Sequence, residues 1–556
     1  MRYIELVKTY TQLEKEPGKL KKVEILSELF SKTPEEVLEK VVTLSMGRVF
    51  PAYSDKKTGV ATQMMIKIIS KTTGLSEKDV VNKLKNLGDL GIVAEKCMEA
   101  KRQASLFTRN LTVDDVVTNV EKLSDLVGKG SQEKKIGLIS NLLSSSKPEE
   151  AKYLIKTVIE TFRIGVAEGI VRDAIAKSFG VNPTLVENAW FLRPNYGEIA
   201  VVAKKGGNEA LERIEMEPGK PIVVMLGEKE PSIEEAIDKY EDAGAEWKFD
   251  GVRLQIHKKD GKIWLFTRRL ENVTGQFPEI AEYAKSLNAK SCIIEGECIA
   301  TDKEGNPLPF QKLSRRVQRK YDIKEMTRKV PVRVYLFDIV YLNSKPLMGE
   351  IFSKRREKLE KVVKPIPKKF EIVEQLRTKD LKKVREFYKK SLESKQEGLM
   401  IKNMAAKYQP GRRVGSWIKI KPVLEPLDLV ITGAEWGKGK RSKWLSSVEL
   451  SCRDADSGEF LECGKLGTGL TDEQFGDLTR KLKKLIVKED GVNVKVKPEI
   501  VVEVGYEEIQ KSPKYGSGFA LRFPRLLRFR ESDKKAVDAD TLERVESIFK
   551  QQFSDV

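Results

Sequence analysis

The chain has 556 residues, with 102 lysines and arginines against 83 aspartates and glutamates, and a formal net charge of +19. A chain of this length exceeds a single hydrophobic core and predicts about three or four domains. The positive balance indicates a polyanionic partner, because basic side chains that neutralise phosphates release counterions. One histidine and five scattered cysteines without a CxxC pair argue against a zinc site.

The sequence contains no run of about 18 apolar residues, which a membrane-spanning helix would need. Its first residues are typical of an amphipathic helix rather than a signal peptide, since apolar and charged side chains are interspersed. We therefore expect a soluble, cytoplasmic protein that does not associate with a membrane.

Helical periodicity dominates the chain up to residue 216. Apolar residues recur at spacings of three and four in segments such as 34–46, 80–90 and 148–161. This pattern predicts an all-α domain over residues 1–216.

Within this region, residues 162–169 are predicted to open a helix that ends near Phe179 and Gly180. The two glycines of this segment, Gly165 and Gly169, permit close backbone approach, and a helix N-terminus can bind phosphate. Tight helix packing explains the glycines equally well, so the segment has both a ligand-binding and a structural interpretation.

The Pro- and Gly-bearing segment at 217–221 marks the passage into a second domain, which we place at residues 217–421. Soon after it comes Glu246-Trp247-Lys248-Phe249-Asp250-Gly251-Val252-Arg253. Alternation of charged and aromatic residues predicts a half-buried strand with Lys248 and Asp250 on one face. Gly251 would admit a phosphate beside the backbone, and Arg253 would hold an anion.

After residue 421 the chain turns to short strand-like runs with one helix between them. The runs lie at 427–433, 447–452, 460–466, 500–506 and 521–529. Five strands and a helix predict an OB-fold barrel over residues 422–556, an architecture that often binds nucleic acid. The basic loop at 437–444 is either a phosphate-backbone contact or a solvated hairpin loop.

Further motifs follow the Lys248 stretch in a fixed order along the chain. They are Thr267-Arg268-Arg269, Ile294-Glu295-Gly296-Glu297, Leu336-Phe337-Asp338, Glu397-Gly398-Leu399-Met400-Ile401-Lys402 and Ser416-Trp417-Ile418-Lys419-Ile420-Lys421. This series resembles the motif set of the covalent nucleotidyltransferases, which include DNA ligases, RNA ligases and mRNA capping enzymes. The whole chain is most similar to ATP-dependent DNA ligases of the archaeal and eukaryotic replicative type.

The resemblance implies a role for each matching residue. Lys248 corresponds to the nucleophile that becomes linked to AMP, and Glu246 to the residue that reads the adenine edge. Arg253 and Arg268 correspond to arginines that bind the ribose and phosphate side of AMP. Ordinary surface side chains are the alternative for the last three.

Two residues would enclose the adenine ring. Phe337 lies in an apolar run that also suits core packing, but the resemblance implies stacking on the base. Met400 would cover the opposite face, where a polarizable thioether suits an aromatic ring.

Lys419 and Lys421 alternate along one strand, so both are predicted on the face opposite Ile418 and Ile420. The resemblance implies that these lysines bind the triphosphate of ATP, and their charge would help to deprotonate Lys248. Arg413 matches a further site arginine, although the adjacent Arg412 is an equally good candidate.

Glu297 and Glu397 match family carboxylates at strand ends, Glu297 for ribose or metal and Glu397 for metal. Mg²⁺ favours a few carboxylates together with phosphate oxygens. The implied cofactors are therefore ATP and Mg²⁺. In the last motif, at 530–534, Lys534 is a better match than Arg530 because Ser532 interrupts the usual run.

The resemblance also covers the N-terminal region. Arg163, Gly165 and Gly169 match a minor-groove contact in the DNA-binding domain of replicative ligases. Gln103, Leu106 and Phe107 match the short peptide by which archaeal ligases dock on a sliding clamp, although Leu106 and Phe107 also suit a helical core.

These observations predict a monomeric ATP-dependent DNA ligase that seals nicks in duplex DNA through lysine–AMP and DNA-adenylate intermediates, in replication, repair and recombination. An RNA ligase or a capping-type nucleotidyltransferase would share the lysine motif but would not need the large helical domain. A non-catalytic DNA- or clamp-binding protein would not need the complete motif set.

Overall fold

The computed structural model describes the chain except residues 52, 101–109, 163, 231, 320–321, 423, 438–440, 442 and 553–556. The chain forms two compact units. The first unit consists of Met1–Leu226, Gly251–Val373 and Met404–Val414, and the second of Gly227–Asp250, Glu374–Asn403 and Gly415–Val556.

The N-terminal part of the first unit is helical, as the periodicity predicts. Its helices are α1 (Tyr3–Lys15), α2 (Lys19–Lys32), α3 (Glu35–Ser45), α4 (Thr62–Thr73), α5 (Glu77–Leu87), α6 (Leu90–Glu99), α7 (Val113–Asp125), α8 (Ser131–Ser145), α9 (Pro148–Val158), α10 (Glu168–Phe179), α11 (Pro183–Leu192) and α12 (Tyr196–Glu212). They enclose one apolar core that includes Tyr3, Tyr10, Leu26, Phe30 and Leu154.

The predicted helical segment at 80–90 is divided between two helices. Helix α5 ends at Leu87, and Gly88 follows it with a φ of 70°, a left-handed conformation that glycine adopts without strain. Asp89 then caps α6 by accepting a hydrogen bond from the backbone N–H of Ile92. The boundary could have been read from this Gly-Asp pair.

The middle of the chain mixes strands and helices. Its elements are β1 (Leu226–Lys229), α13 (Ile233–Asp238), β2 (Ala243–Lys248), β3 (Val252–Lys259), β4 (Lys262–Thr267), α14 (Pro278–Ala284), β5 (Ser291–Ala300), α15 (Phe310–Gln318), α16 (Ile323–Lys329), β6 (Val332–Leu342), β7 (Lys345–Pro346), α17 (Phe352–Val362), β8 (Phe370–Ile372), β9 (Gln375–Arg377), α18 (Leu381–Glu393), β10 (Gly398–Asn403) and β11 (Arg413–Ile420).

These strands form two sheets, one for each unit. In the first unit the order is β4-β3-β5-β6-β7, and β8 runs parallel to β6. In the second unit the order is β1-β11-β10-β2-β9. One face of the second sheet packs apolar side chains with those of α13 and α18, including Ala245, Leu399, Ile401, Ile418 and Ile420.

The segment before β1 is held against β3 by side chains that point inward. Gln255 exchanges two hydrogen bonds with the backbone of Ile222, and the N–H of Gly219 donates to His257 Nδ1 at 3.1 Å. His257 is fully buried, and this burial lowers its pKa to about 3. The imidazole is therefore neutral in the folded protein near neutral pH.

The C-terminal part of the second unit is rich in strands, as predicted. Its elements are β12 (Leu427–Trp436), β13 (Leu445–Arg453), β14 (Phe460–Leu466), α19 (Asp472–Lys483), β15 (Ile486–Asp490), β16 (Asn493–Val496), β17 (Val501–Gly505), β18 (Glu508–Lys511), β19 (Phe519–Arg522), β20 (Arg525–Phe529) and α20 (Leu542–Gln551).

One predicted strand in this region, at 521–529, is two strands in the structure. Phe523 has a φ of 52°, outside the extended region, and Pro524 cannot donate a ladder hydrogen bond. The chain therefore turns between β19 and β20. Across the described residues, no helix is long and apolar enough to cross a membrane.

Candidate active site

Four of the predicted site residues lie on one face of the sheet in the second unit. Strand pairing sets Glu246 opposite Met400 and Met400 opposite Lys419. Lys248, two residues after Glu246, is opposite Gly398. Because side chains alternate along a strand, these residues share the face opposite the apolar core. The alternation in the sequence predicted Lys248 and Asp250 on one strand face, but β2 ends at Lys248 and Asp250 lies beyond the strand.

Lys248 ends β2 and is ion-paired with Glu397. The backbone N–H of Glu397 donates to the carbonyl of Lys248 at 2.9 Å, which brings the two side chains together. The Lys248 amine donates to Glu397 Oε2, and Lys421 Nζ lies 3.0 Å from the same oxygen. Burial acts to raise the pKa of Glu397, but the two lysines outweigh it and lower the pKa to about 2.

A second carboxylate extends this group. Glu507 Oε2 lies 3.3 Å from Lys421 Nζ, so Lys421 stands between two carboxylates. We call Lys248, Glu397, Lys421 and Glu507 the lysine cluster. Glu507 did not stand out in the sequence, because it lies 86 residues from Lys421 in a segment of ordinary strand composition.

Asp250 lies beside the lysine cluster. Its carboxylate is 3.5 Å from Arg522, which also binds Glu508 at 2.9 Å. Burial and the nearby charge of Glu397 raise the pKa of Asp250 to about 7, although Arg522 acts in the opposite direction. The alternation that predicted Asp250 near Lys248 gave no indication of Arg522.

Glu246 has two polar neighbours on the same face of the sheet. Lys402 Nζ lies 2.5 Å from Glu246 Oε2, and Gln375 Nε2 donates to Oε1 at 2.8 Å. Glu246 and Lys402 are each only 2% exposed. The carboxylate predicted to read a base edge is therefore also part of a buried ion pair.

In the first unit, Arg253 is held by a buried carboxylate and the backbone. Its guanidinium donates to Glu295 Oε2 and to the carbonyl of Met225, both at 2.7 Å. Tyr408 donates to Glu295 Oε1 at 3.0 Å and accepts from the N–H of Met225 at 2.9 Å. Phe337 lies on one side, with its ring centroid 5.3 Å from the guanidinium carbon.

Arg268, Arg413 and Glu297 belong to the same region of the first unit. Strand pairing places Glu297 directly opposite Arg253. Burial lowers the pKa of Arg268, and the charges of Arg253 and Arg413 lower it further. Mutual repulsion of this kind among arginines is typical of a site that receives an anion.

We call Arg253, Glu295, Tyr408, Arg268 and Arg413 the arginine cluster. Sequence inspection missed the contributions of Glu295 and Tyr408. A glutamate directly after the apolar run Cys292–Ile294 was the available signal for Glu295.

The neighbouring Arg412 has a different environment from Arg413. It lies 3.2 Å from Glu187, and its guanidinium carbon is 5.9 Å from the centroid of the Phe191 ring. Arg412 is therefore attached to helix α11, whereas Arg413 acts electrostatically on Arg268.

Gly165 and Gly169 lie in an exposed segment at the start of α10. A Cβ at Gly165 would lie 2.4 Å from Lys22 Nζ, and its φ of 70° also favours glycine. A Cβ at Gly169 would meet open space, so helix packing does not require that glycine. Arg163 and the predicted clamp-binding residues Gln103, Leu106 and Phe107 lie outside the described residues.

The last motif is tied to one carboxylate of β12. Lys534 donates to Asp428 Oδ2 at 2.6 Å, and Arg530 donates to the same oxygen at 3.0 Å. Both basic residues therefore occupy one charged cluster.

Comparison with known proteins identifies the class of protein to which the chain is similar. Family models described as "DNA ligase N terminus", "ATP dependent DNA ligase domain" and "ATP dependent DNA ligase C terminal region" match residues 2–176, 224–421 and 441–534. A solved chain described as Pmar-Lig_PreS3 matches with a TM-score of 0.57 at 19% identity, over 94% of this chain and 99% of that one. This structural likeness supports the fold alone.

Relatives extend the match over the full length. The DNA ligase of Thermococcus onnurineus is 43% identical over 99% of this chain and 98% of its own, and that of Nanoarchaeum equitans is 43% identical over 99% of both. The chain belongs to the ATP-dependent DNA ligase family. The family predicted from the motif series is thereby confirmed, with a helical N-terminal region, a nucleotidyltransferase domain and a strand-rich C-terminal region.

Proposed function

We propose that this enzyme seals nicks in duplex DNA through a Lys248–AMP intermediate. The observation that carries this proposal is the position of Lys248 at the end of β2, bonded to Glu397 and flanked by Lys421. A strand end holds the amine in a fixed place, and the surrounding charges suit an anionic substrate and its counterions.

In the first step, the Lys248 amine attacks the α-phosphorus of ATP. A nitrogen–phosphorus bond forms while the bond from that phosphorus to the bridging oxygen breaks, pyrophosphate leaves, and the amine loses a proton. The amine must first give up its hydrogen bond to Glu397. Lys419 and Lys421 stabilise the charge that accumulates on the leaving phosphates.

In the later steps, the AMP moves from Lys248 to the 5′-phosphate of the nick, and the 3′-hydroxyl then displaces AMP to close the strand. Arg253, Arg268 and Arg413 are the residues we assign to the ribose and phosphate groups. This assignment rests on the mutual repulsion of the arginines, which an anion would relieve. Arg413 is preferred to Arg412 because Arg412 is paired with Glu187.

We assign the adenine base to Glu246, Met400 and Phe337. Met400 is the direct cross-strand neighbour of Glu246, so a base lying against the thioether would be near that carboxylate. Phe337 is half-buried rather than part of the apolar core, which leaves ring surface for stacking.

Glu297 and Glu397 are the side chains that would hold Mg²⁺. Glu397 fits this ion because its low pKa keeps it ionised, and Mg²⁺ takes one or two carboxylates with phosphate oxygens. When bound, the ion neutralises charge on the phosphate oxygens.

For the rest of the chain we propose a DNA-binding domain at 1–216, an adenylation domain at 217–421 and an OB-fold domain at 422–556. The barrel assignment is supported by β12, which pairs with β13 along one edge and with both β16 and β17 along the other. Gly165 and Gly169 are proposed to approach the DNA backbone. We also propose that Gln103, Leu106 and Phe107 dock on a sliding clamp and that the protein is a monomer.

The test begins with the intact mass of the protein after incubation with ATP and Mg²⁺. We expect one added adenylate, mapped by peptide digestion to Lys248 and absent from Lys248→Ala. Sealing is then measured on nicked DNA and nicked RNA duplexes with ATP or GTP. Label on another residue would overturn the nucleophile assignment, and preferential sealing of RNA would favour an RNA ligase.

A further inference from the structure

The ion pair of Glu246 and Lys402 is unusual because both side chains are almost completely buried on the face of the sheet that carries Lys248. Replacing a buried ion pair with well-packed apolar residues is often neutral or stabilising, so stability alone is a poor explanation for it. The ammonium also lies 4.4 Å from the centroid of the Trp417 ring, an arrangement that stabilises a cation. The chain therefore maintains a positive charge beside Glu246.

Sheet geometry explains how the contacts fix the carboxylate. Gln375 is the cross-strand neighbour of Glu246 on β9, and Met400 is its neighbour on β10. Lys402 follows Met400 by two residues, so it reaches Glu246 along the diagonal of the ladder. Gln375 binds one carboxylate oxygen and Lys402 the other. Glu246 is thus held from two sides.

We propose that Lys402 and Gln375 are positioning residues that hold Glu246 as a charged acceptor and so set the preference for adenine over 6-keto purines. This inference rests on the proposed function, in which Glu246 faces the base. An ionised carboxylate only accepts hydrogen bonds. Adenine offers an amino donor at its 6-position, whereas guanine carries a carbonyl acceptor there, and two acceptors repel each other.

The test measures self-nucleotidylation with ATP, inosine triphosphate and GTP. Inosine triphosphate carries the 6-keto group without the 2-amino group. The quantity of interest is the ratio of kcat/KM for ATP to that for inosine triphosphate. We expect Lys402→Met to lower this ratio about tenfold or more, because the carboxylate loses the charge and contact that fix it. Lys402→Arg should retain the ratio, and Lys262→Met, at an exposed site on β4, is the matched control.

Two further variants keep the test decisive if Lys402→Met fails to fold. Gln375→Leu leaves the ion pair intact and should lower the ratio by a smaller factor. Lys402→Met combined with Glu246→Met removes both buried charges, so we expect the protein to fold. Its kcat/KM values for ATP and inosine triphosphate should be nearly equal. Melting curves establish that each variant is folded.

The outcomes separate this inference from the proposed function. If the unmodified protein gains no nucleotide from ATP, the proposed function fails. If it is adenylated but Gln375→Leu and the double variant keep the original ratio, the positioning roles are wrong and the pair is structural. Equal losses with all three nucleotides would also assign the pair a structural role.

Discussion

The lysine cluster and the arginine cluster both carry charges suited to a nucleotide, but their partners differ. In the arginine cluster, Glu295 is completely buried and is bound by Arg253 and by Tyr408, which also accepts a bond from the backbone. In the lysine cluster, Glu507 remains about one-third exposed, and Lys421 is shared between two carboxylates.

This difference separates contacts that are fixed from contacts that a ligand can replace. A buried, fully bonded carboxylate orients Arg253 before any ligand arrives. A carboxylate that is about one-third exposed, such as Glu507, is more weakly bound to its lysine, since solvent screens the pair. One sheet therefore offers a preorganised arginine, and the other offers lysines whose present partners resemble the anions they are proposed to bind.

The largest effect is expected at Lys248, the proposed nucleophile. Lys248→Ala should abolish self-adenylation and lower nick sealing at least about 10³-fold, because it removes the amine proposed to carry the covalent intermediate. Intact mass and a gel-based sealing assay measure the two effects, with Lys262→Ala as control. An alanine variant that still carries an adenylate would contradict the assignment.

Glu295→Gln tests whether the buried carboxylate of Glu295 holds Arg253 in place. Removing the charge leaves Arg253 buried without its counterion, which should lower the free energy of unfolding by about 3–5 kcal/mol. Chemical denaturation measures the change, and Glu507→Gln is the matched control in the lysine cluster. Similar losses in both variants would remove the distinction between the clusters.

His257 tests how the first unit responds to acid. The pKa of the buried imidazole is lowered to about 3, so the unfolded chain takes up the proton first as the pH falls below about 6.5. The contribution of the neutral imidazole to the free energy of unfolding is therefore fully present above that pH. It is lost as the pH falls, so the free energy of unfolding is lower by about 2 kcal/mol at pH 5. Because the chain has one histidine, His257→Gln should flatten this part of the curve of melting temperature against pH. A curve as steep as that of the unmodified protein would contradict the prediction.

A smaller effect is expected from the pair of adjacent arginines. Arg413→Ala should raise the KM for ATP in self-adenylation about tenfold, as loss of one charged contact implies. Arg412→Ala should leave that KM unchanged, because Arg412 binds Glu187. Steady-state kinetics distinguish the two, and the reverse result would assign the site role to Arg412.

The smallest effect should follow from releasing Lys421. Glu507→Gln removes an exchangeable partner, so we expect the KM for ATP to fall by about threefold with little change in stability. The same kinetic assay measures this change. A higher KM would mean that Glu507 positions Lys421 instead of competing with its ligand.

Periodicity in the sequence was sufficient to predict local features of this molecule. The alternation of Lys419 with Ile418 and Ile420 predicted correctly that the two isoleucines face the core. The helical region followed from the three- and four-residue spacing of its apolar side chains. Such predictions succeed because backbone geometry alone fixes the direction of neighbouring side chains.

Contacts between distant segments could not be predicted in this way. Tyr408 binds Glu295 from 113 residues away, and Glu507 reaches Lys421 across 86 residues. Neither tyrosine nor glutamate is distinctive by type, and their meeting depends on strand order, which local patterns do not determine. The boundaries proposed for the three domains remain predictions for the same reason.

Gly398 determines how closely the residues of the lysine cluster can approach one another. Its φ is 132°, and a Cβ there would lie 2.2 Å from the carbonyl oxygen of Ile420. Even the smallest side chain would push β10 away from β11, and with it Glu397 away from Lys421. The absence of a side chain at Gly398 thus sets the spacing within the lysine cluster, and Gly398→Ala would widen it without altering any charge.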